Sequence, residues 1–187
     1  CCRYCGPFYY KYRGELFPKY PQPNETEDLV EDLREGKIVA LKGIGGVNLV
    51  CRADKREVVQ ALRTRKKGRK YKPFAVMMPN VKVARRYCEI TPPYQELLQS
   101  YRRPIVLCPK RENQATSLPD NVAPGMPNVG VLLPYSGVHH LIFKKLGPTP
   151  LIFTSGNVSG LPMAVTNQTI VDQMEGLADS IYLHNRK

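Results

Sequence analysis

Long apolar runs are missing from this chain of 187 residues. None approaches the roughly 20 consecutive apolar residues that a membrane-spanning helix needs, so we expect no membrane partner. We also expect no secretory signal peptide, because the chain opens on Cys-Cys-Arg-Tyr-Cys rather than on a basic and then apolar segment. There is also no initiator Met, which leads us to expect a fragment or a processed chain.

Acidic residues are scarce beside basic ones. The 16 Asp and Glu stand against 28 Lys and Arg, and the formal net charge is +12. Such an excess predicts a polyanionic partner, which is a nucleic acid, a nucleotide or an acidic protein. A generally solvated basic surface is the alternative. The basic residues cluster with glycine-rich loops, which favours a specific anion site.

The six cysteines fall into two groups. Cys51, Cys88 and Cys108 are isolated in or near apolar segments, which is typical of buried, reduced thiols in a cytoplasmic protein. Cys2 and Cys5 form a Cys-x-x-Cys pair before Gly-Pro, a spacing at which two thiolates bind one zinc ion. No second pair of this spacing is present. The missing half-site lies outside this chain, or the pair is idle, or it serves redox chemistry.

Predicted helices and strands alternate along the chain. We predict strands at 38–41, 74–78, 105–108, 129–133, 150–153 and 181–183, with helices that begin near residues 24, 54, 79, 91, 139 and 170. Residues 6–23 are interpreted as a connector, and residues 109–128 as a polar loop long enough for a lid. The pattern predicts an α/β fold with a twisted, open, mixed sheet flanked by helices.

Three stretches have the composition of anion-binding loops. Residues 154–160 follow an apolar strand with hydroxyl, amide and glycine residues, and residues 42–46 follow another strand with Lys and Gly. The latter stretch is neither a P-loop nor a dinucleotide fingerprint, so a tight turn is the alternative. Seven cations fall within residues 63–72. Their mutual repulsion favours a bound polyphosphate, although a solvated face is the usual interpretation of such a run.

Six motifs occur in an order that resembles one family, the YrdC-like domain of the HypF hydrogenase-maturation carbamoyltransferases. The motifs are Leu41-Lys42-Gly43-Ile44-Gly45-Gly46, Lys72-Pro73-Phe74-Ala75-Val76-Met77, Arg103-Pro104-Ile105-Val106-Leu107, Ala123-Pro124-Gly125, Gly130-Val131-Leu132-Leu133-Pro134-Tyr135 with His139-His140, and Thr154-Ser155-Gly156-Asn157-Val158-Ser159-Gly160. The opening Cys-Gly-Pro resembles the end of the preceding zinc-finger region. The resemblance implies a zinc-finger remnant at residues 1–18 and a YrdC-like domain for ATP and carbamate at residues 19–187.

The resemblance also implies a reaction. In this family carbamoyl phosphate is dephosphorylated to carbamate, which then reacts with ATP and Mg²⁺ to give carbamoyl adenylate and pyrophosphate. The carbamoyl group is passed to the HypE protein for the cyanide ligands of [NiFe]-hydrogenase. This chain is similar to the adenylating domain alone, so we expect it to lack the complete reaction.

The family's site residues can be carried over by position. The catalytic cations implied are Lys67, Arg69 and Lys42. The implied ATP and phosphate ligands are Lys72, Ser155, Asn157, Ser159, Arg103, Pro134 and Tyr135. The implied carbamoyl-binding residues are Gly43, Gly45, Gly46 and His139, and the implied zinc ligands are Cys2 and Cys5.

Three details of this assignment stay open at the level of sequence. The Lys-x-Arg motif begins at Lys67 when counted back from Lys72 and at Lys66 when counted forward from the helix. One of His139 and His140 is expected to face the site while the other packs. Gly156 replaces the Ala that is commoner in the Ser-x-Asn motif, which we expect to loosen the backbone.

Two other functions are compatible with parts of the sequence. A threonylcarbamoyl-AMP synthase for tRNA modification has the same fold and adenylation step, but the Cys-Gly-Pro start and residues 41–46 count against it. An RNA-binding module would explain the charge of +12, and weak nucleic-acid binding is expected on that ground. The basic run holds one aromatic residue, Tyr71, and lacks a series of exposed aromatic platforms interleaved with the basic residues, which disfavours this function.

Overall fold

The computed structural model describes residues 6, 8–20, 25–66, 71–111, 117–157 and 162–186. In these ranges the strands are β1 (Tyr9–Lys11), β2 (Val39–Gly43), β3 (Gly46–Arg52), β4 (Ala75–Met77), β5 (Val106–Pro109), β6 (Asn128–Leu132), β7 (Leu151–Ser155) and β8 (Ser180–His184). The helices are α1 (Glu25–Arg34), α2 (Arg56–Arg65), α3 (Val81–Tyr87), α4 (Pro92–Gln99), α5 (Gly137–Leu146) and α6 (Asn167–Met174), with a 3-10 turn at Asp120–Val122.

The strands form one open, mixed sheet in the order β1-β8-β2-β3-β7-β4-β6-β5. The pairs β2–β8 and β4–β6 are parallel, and the other neighbouring pairs are antiparallel. The predicted fold class, an α/β protein with a mixed open sheet flanked by helices, is therefore confirmed.

Apolar side chains cover both faces of the sheet, because successive residues of a strand point to opposite sides. On the face that we call the α1/α5 face, Leu41 and Phe153 pack with Leu33 and Phe143. On the opposite face, the α2/α6 face, α2, α3 and α6 pack against the alternate strand residues. Those strand residues are Ala40, Leu49, Cys51, Val76 and Ile152.

The three isolated cysteines are free thiols within this core, as predicted. All three are fully buried. Burial raises the pKa of Cys88 to about 12 and that of Cys108 to about 11, so both stay protonated at neutral pH and pack as small apolar side chains.

Some helices begin or end at residues that typically cap helices, and one does not. Gly36 ends α1 in the left-handed region with φ +87, and the Asn80 side chain accepts a hydrogen bond of 3.0 Å from the Val83 amide at the start of α3. Asp54, however, does not cap α2. It pairs with Arg52 at 2.6 Å, and Lys55 occupies the N-cap position without a side-chain bond.

Two strands were absent from the prediction. Residues 9–11, interpreted as connector, form β1 on β8, and the apolar residues 47–51 form most of β3. Both strands are held by pairing with other strands rather than by a strong local sequence pattern. β1 has only 3 residues. β3 lacks an alternating polar and apolar pattern because helices cover both of its faces. The division at residue 18 stays a prediction, although β1 precedes it.

The predicted lid is partly built into the core. In its described portion, Val122 and Ala123 are fully buried, and the Val122 carbonyl accepts the Phe74 amide at 2.9 Å. This portion is therefore a packed segment rather than a detached cover; residues 112–116 lie outside the description. No helix among the described residues has the length and apolarity to cross a membrane.

Candidate functional site

Five of the predicted site residues lie outside the described residues: Cys2, Cys5, Lys67, Arg69 and Ser159. Their assignments stay predictions. Within the described ranges, His, Cys, Asp and Glu side chains form no group of three or more that could hold a metal ion.

Lys66 meets the Ser-x-Asn motif at the end of β7. Its Nζ lies 2.6 Å from the Ser155 carbonyl oxygen, 3.0 Å from the Asn157 carbonyl oxygen and 3.4 Å from Asn157 Oδ1. The Ser155 hydroxyl donates to Asn157 Oδ1 at 2.7 Å. Lys66 is buried at 7% exposure, so the chain holds a cation, a hydroxyl and an amide together at one strand end. We call these three residues the Lys66 group.

Gly156 allows this strand end to approach β3. Its amide donates to the Val47 carbonyl at 2.8 Å. A Cβ at this position would lie 2.7 Å from Val47 Cγ1 and 3.0 Å from the Val47 oxygen. The glycine therefore permits a close contact, whereas the sequence suggested only a looser backbone.

Replacing Gly156 by Ala should destabilise the protein by about 1–3 kcal/mol, because the new methyl group overlaps Val47. Chemical unfolding measures the change. Gly45→Ala is the matched control: a Cβ there meets no atom of the described residues within 4 Å, so it should be neutral or slightly stabilising. Equal stability of the two variants would show that Val47 moves aside without cost.

Residues 42–46 form a tight β-hairpin. Lys42 and Gly43 belong to β2, and Gly43 pairs with Gly46 of β3. Gly46 has φ +128, and a Cβ on it would lie 2.8 Å from Met163 Cγ and 3.0 Å from the Ala164 oxygen. Residues 42–46 thus form a tight turn, with Ile44 and Gly45 as its two turn residues. The assignment of Gly43, Gly45 and Gly46 to carbamoyl binding stays a prediction.

The Lys42 side chain lies on the α2/α6 face. Its Nζ is 2.6 Å from Asn167 Oδ1 and 3.1 Å from the Arg186 carbonyl oxygen, and burial lowers its pKa. Ser155 lies two residues after Phe153 on the same strand, so the two side chains point to the same face, which is the α1/α5 face. This is the face opposite to that of Lys42. The structure therefore does not bring the Lys42 ammonium to the Ser155 hydroxyl.

Tyr135, His139 and Phe153 form an aromatic cluster on the α1/α5 face. The His139 ring centroid lies 4.5 Å from that of Tyr135 and 4.9 Å from that of Phe153, both edge to face. His139 is 1% exposed, and its Nε2 has no hydrogen-bond partner among the described residues. His140 is exposed and lines an open cleft. Of the two histidines, His139 packs and His140 faces that cleft.

The protein should be less stable in weak acid than at neutral pH, because the pKa of His139 is lower in the folded protein than in the unfolded chain. Burial, with a smaller effect of neighbouring His140, lowers this pKa to about 4, whereas an unfolded chain titrates near 6.5. Between these values the unfolded state binds more protons, so stability falls as pH drops from about 6.5 to 4. The contribution of His139 is about 3 kcal/mol.

Unfolding in urea at pH 7 and pH 4 tests this expectation. His139→Phe keeps an aromatic ring and should lose about 3 kcal/mol less on acidification than the wild type. Burial also lowers the pKa of His184, so the comparison rests on the difference between the two proteins. His140→Gln, at the exposed neighbour with the smaller effect on the His139 pKa, should stay close to the wild-type slope, and the same slope in His139→Phe would contradict the prediction.

Three predicted phosphate ligands line the same cleft as His140. Arg103, Pro134 and Tyr135 border an open space of about 580 Å³. None of them belongs to the Lys66 group. Lys72 is exposed, and its carbonyl oxygen accepts from Arg63 Nη1 at 3.1 Å.

The basic run is partly neutralised by the protein itself. Arg63 is buried, donates to the Val122 carbonyl at 3.2 Å and stacks 4.6 Å from the centre of the Phe74 ring. Arg65 pairs with Asp179 at 2.8 Å. Asp179 thus neutralises Arg65, and carbonyl oxygens and the Phe74 ring stabilise Arg63, so neither cation requires a bound anion. Residues 67–70 lie outside the description.

Sequence reasoning missed the polar residues that surround the hairpin. Tyr9 donates to the Lys42 carbonyl at 3.0 Å and lies edge to face with His184 at 5.5 Å, and Asn48 is paired with Ser155. Burial and then the neighbouring Tyr135 raise the pKa of Tyr9 to about 12. Asn48 could have been identified from the sequence, because it is a polar residue within an apolar run. No such pattern in the sequence distinguishes Tyr9.

Comparison with known proteins identifies the family. The model of the Sua5/YciO/YrdC family, described as "Telomere recombination", matches residues 31–187. The carbamoyltransferase HypF of Synechocystis sp. is 40% identical over 157 residues, which are 84% of this chain and 20% of that protein. The chain thus spans about a fifth of the curated relatives that it matches.

Two solved structures are also similar. The crystal structure of full-length HypF in the phosphate- and nucleotide-bound form is 39% identical with a TM-score of 0.87, covering 98% of this chain and 23% of that one. The T. kodakarensis HypF structure is 37% identical with a TM-score of 0.90, covering 100% of this chain and 24% of that one. This chain belongs to the Sua5/YciO/YrdC family, and over most of its length it is similar to one part of the HypF carbamoyltransferases.

Proposed function

We propose that this chain is the carbamoyl-adenylating part of a HypF-type carbamoyltransferase. It would join carbamate, derived from carbamoyl phosphate, to ATP and release pyrophosphate. Identity of about 40% to HypF proteins supports this assignment. The observation that carries it is the Lys66 group, in which a buried ammonium, a hydroxyl and an amide converge on one strand end.

The chemistry requires anchored donors rather than a protein nucleophile. A carbamate oxygen attacks the α-phosphorus of ATP, the bond from that phosphorus to the bridging oxygen breaks, and pyrophosphate leaves with the electron pair. Carbamate is already an anion, so no general base is needed. Charge grows on the phosphoryl oxygens, where Lys66 and the Ser155 hydroxyl would stabilise it.

In this proposal Mg²⁺ would be bound by the nucleotide rather than by protein side chains. The side chains of the Lys66 group include no carboxylate, so the ion would be held mainly by ATP phosphates and water. When bound, it would neutralise charge on the phosphates. Zinc at Cys2 and Cys5, which lie outside the described residues, stays a prediction.

The remaining sequence-derived assignments receive different roles in this proposal. Lys67, Arg69 and Ser159 are proposed to complete the phosphate site. Lys42 is proposed as a positioning residue, since its side chain anchors the hairpin through Asn167 and Arg186. His139 is proposed to shape the α1/α5 face by packing on Tyr135. Delivery of the carbamoyl group to HypE would belong to the whole protein.

The decisive experiment measures AMP and pyrophosphate release from ATP with two co-substrates. Carbamate, freshly generated from carbamoyl phosphate, should support turnover, whereas bicarbonate with threonine should not. Turnover only with threonine would instead identify a threonylcarbamoyl-AMP synthase. Duplex RNA binding that weakens steeply with salt, without turnover of either mixture, would favour the RNA-binding module.

A further inference from the structure

Strand β3 has one polar residue between its two ends. Residues 47–51 are apolar except for Asn48, which is half-buried. It lies opposite Leu41 of β2, and Val50 follows it two residues later. Both of these neighbours pack in the core of the α1/α5 face, so the Asn48 side chain points to that face. An amide among apolar side chains is unfavourable unless it is hydrogen-bonded, so we expect it to have a partner.

Asn48 lies beside the Lys66 group, directly opposite Ser155 in the register of β3 and β7. The Gly156 amide donates to the Val47 carbonyl at 2.8 Å, which makes Val47 and Gly156 a hydrogen-bonded pair. The adjacent Asn48 and Ser155 are therefore a non-hydrogen-bonded pair. In such a pair the Cα atoms are about 4.5 Å apart and the side chains are close neighbours. The Asn48 amide and the Ser155 hydroxyl thus lie side by side at the end of the sheet.

The protein leaves the hydrogen-bonding groups of the Asn48 side chain unused. No hydrogen bond joins this side chain to another described residue. The neighbouring Ser155 hydroxyl donates to Asn157 Oδ1 at 2.7 Å rather than to Asn48. On the other side, a Cβ built on Gly43 would lie 3.2 Å from Asn48 Nδ2, so the glycine makes room for the amide without bonding to it. A half-buried amide that offers both donors and an acceptor is suited to bind a ligand.

The donors and acceptor of a side-chain amide match those of carbamate. The amide has N–H donors on Nδ2 and an acceptor at Oδ1, all in one plane. Carbamate is also planar, with carboxylate oxygens that accept hydrogen bonds and an amino group that donates them. The two groups can therefore form two parallel hydrogen bonds. Acetate has a methyl group where carbamate has the amino group, so it can form only one of them.

We propose that Asn48 is the residue that selects carbamate as the co-substrate, an inference that rests on the proposed function. Nδ2 donates to one carbamate oxygen, and the carbamate amino group donates to Oδ1. The second carbamate oxygen stays available to attack the α-phosphorus at the Lys66 group. An analogue without the amino group leaves Oδ1 unpaired, and sites that bind a substrate N–H in this way reject such analogues strongly.

Kinetics of Asn48→Leu, with carbamate as substrate and acetate as competitive inhibitor, test the proposal. Leucine has a similar volume and suits the apolar strand. The KM for carbamate should rise about tenfold or more, and the inhibition constant of acetate should rise less, because acetate loses one hydrogen bond rather than two. The KM for ATP should change little. Gln99→Leu, the same exchange of an amide for an apolar group at an exposed position of α4, is the control and should keep the wild-type constants.

Two further measurements keep the proposal testable if Asn48→Leu folds poorly. Asn48→Asp is nearly isosteric, and its carboxylate both repels carbamate and lacks the N–H donors, so the KM for carbamate should rise here as well. The side-chain amide resonance of Asn48 in the nitrogen-labelled wild type reports binding without turnover. With a non-hydrolysable ATP analogue present, carbamate freshly generated from carbamoyl phosphate should shift this resonance more than acetate does at equal ionic strength.

The outcomes separate this inference from the proposed function. If the carbamate and acetate constants of Asn48→Leu rise equally or not at all, while the wild type turns over carbamate, Asn48 is no selector and the proposed function stands. If carbamate shifts the Asn48 resonance but the wild type releases no AMP, the assignment of Asn48 is retained and the proposed function is rejected. If carbamate causes neither the shift nor AMP release, both are rejected.

Discussion

Lys66→Met should lower carbamate-dependent AMP release about a hundredfold, the effect expected when one oriented donor to a developing charge is lost. The ammonium lies 2.6 Å from the Ser155 carbonyl oxygen and 3.0 Å from that of Asn157. Its removal takes away a cation at the proposed phosphate site and also the contact that holds the motif in place. Methionine fills a similar volume, so the fold should be retained.

Single-turnover kinetics with saturating ATP measure this effect, and the melting temperature verifies folding. Lys82→Met, at an exposed position of α3, is the matched control and should keep the wild-type rate. Lys67→Met decides the register of the Lys-x-Arg motif. A hundredfold loss at position 67 with wild-type activity at position 66 would move the site by one residue. Wild-type rates in both variants would refute the site map.

The sheet was largely predictable because its strands are short apolar runs between clear helix signals. The helices predicted to begin near residues 79 and 91 are found as α3 and α4, which begin at Val81 and Pro92. β1 and β3 were not predicted, because the pairing partner of β1 is 171 or more positions away along the chain and the apolar residues of β3 follow a glycine stretch that resembles a loop. Long-range pairing of this kind leaves no local signature.

The candidate site was predictable as a set of residues but not as an arrangement. Ser155 and Asn157 were identified together, and the structure adds Lys66, which only the forward count of the basic run had indicated. The face to which Lys42 points was not predictable, because a shift of one residue in strand register reverses every side chain. Arg103 and Tyr135, which were assigned to the nucleotide with Ser155, line one open cleft together with Pro134, and their role stays a prediction.

Asp32→Ala should lower the free energy of unfolding by about 3 kcal/mol. Asp32 is buried, and its carboxylate accepts from Lys11 at 2.8 Å, Lys37 at 2.7 Å and the Tyr182 hydroxyl at 2.8 Å. Although burial alone would raise its pKa, these bonds hold the pKa at about 2. The truncation leaves the buried Tyr182 hydroxyl without this acceptor.

Thermal unfolding should show a decrease in Tm of about 6–12 °C for this change in a chain of such length. Asp28→Ala is the matched control, because the Asp28–Arg13 pair is exposed and worth less than about 1 kcal/mol. A folded pKa below the unfolded value of 3.8 means that the stabilisation is present above pH 3.8 and is lost as pH falls through about 2. The difference between wild type and Asp32→Asn should therefore shrink near pH 2.

The same substitution connects stability with the site. Lys11 belongs to β1 and Tyr182 to β8, so Asp32 of α1 joins both strands at the sheet edge that carries Tyr9. Loss of that anchor should raise hydrogen exchange of the β1 amides before that of β7. Because Tyr9 donates to the Lys42 carbonyl, the hairpin should loosen as well. If Asp32→Ala were no less stable than Asp28→Ala, with unchanged exchange in β1, this edge would be held by strand pairing alone.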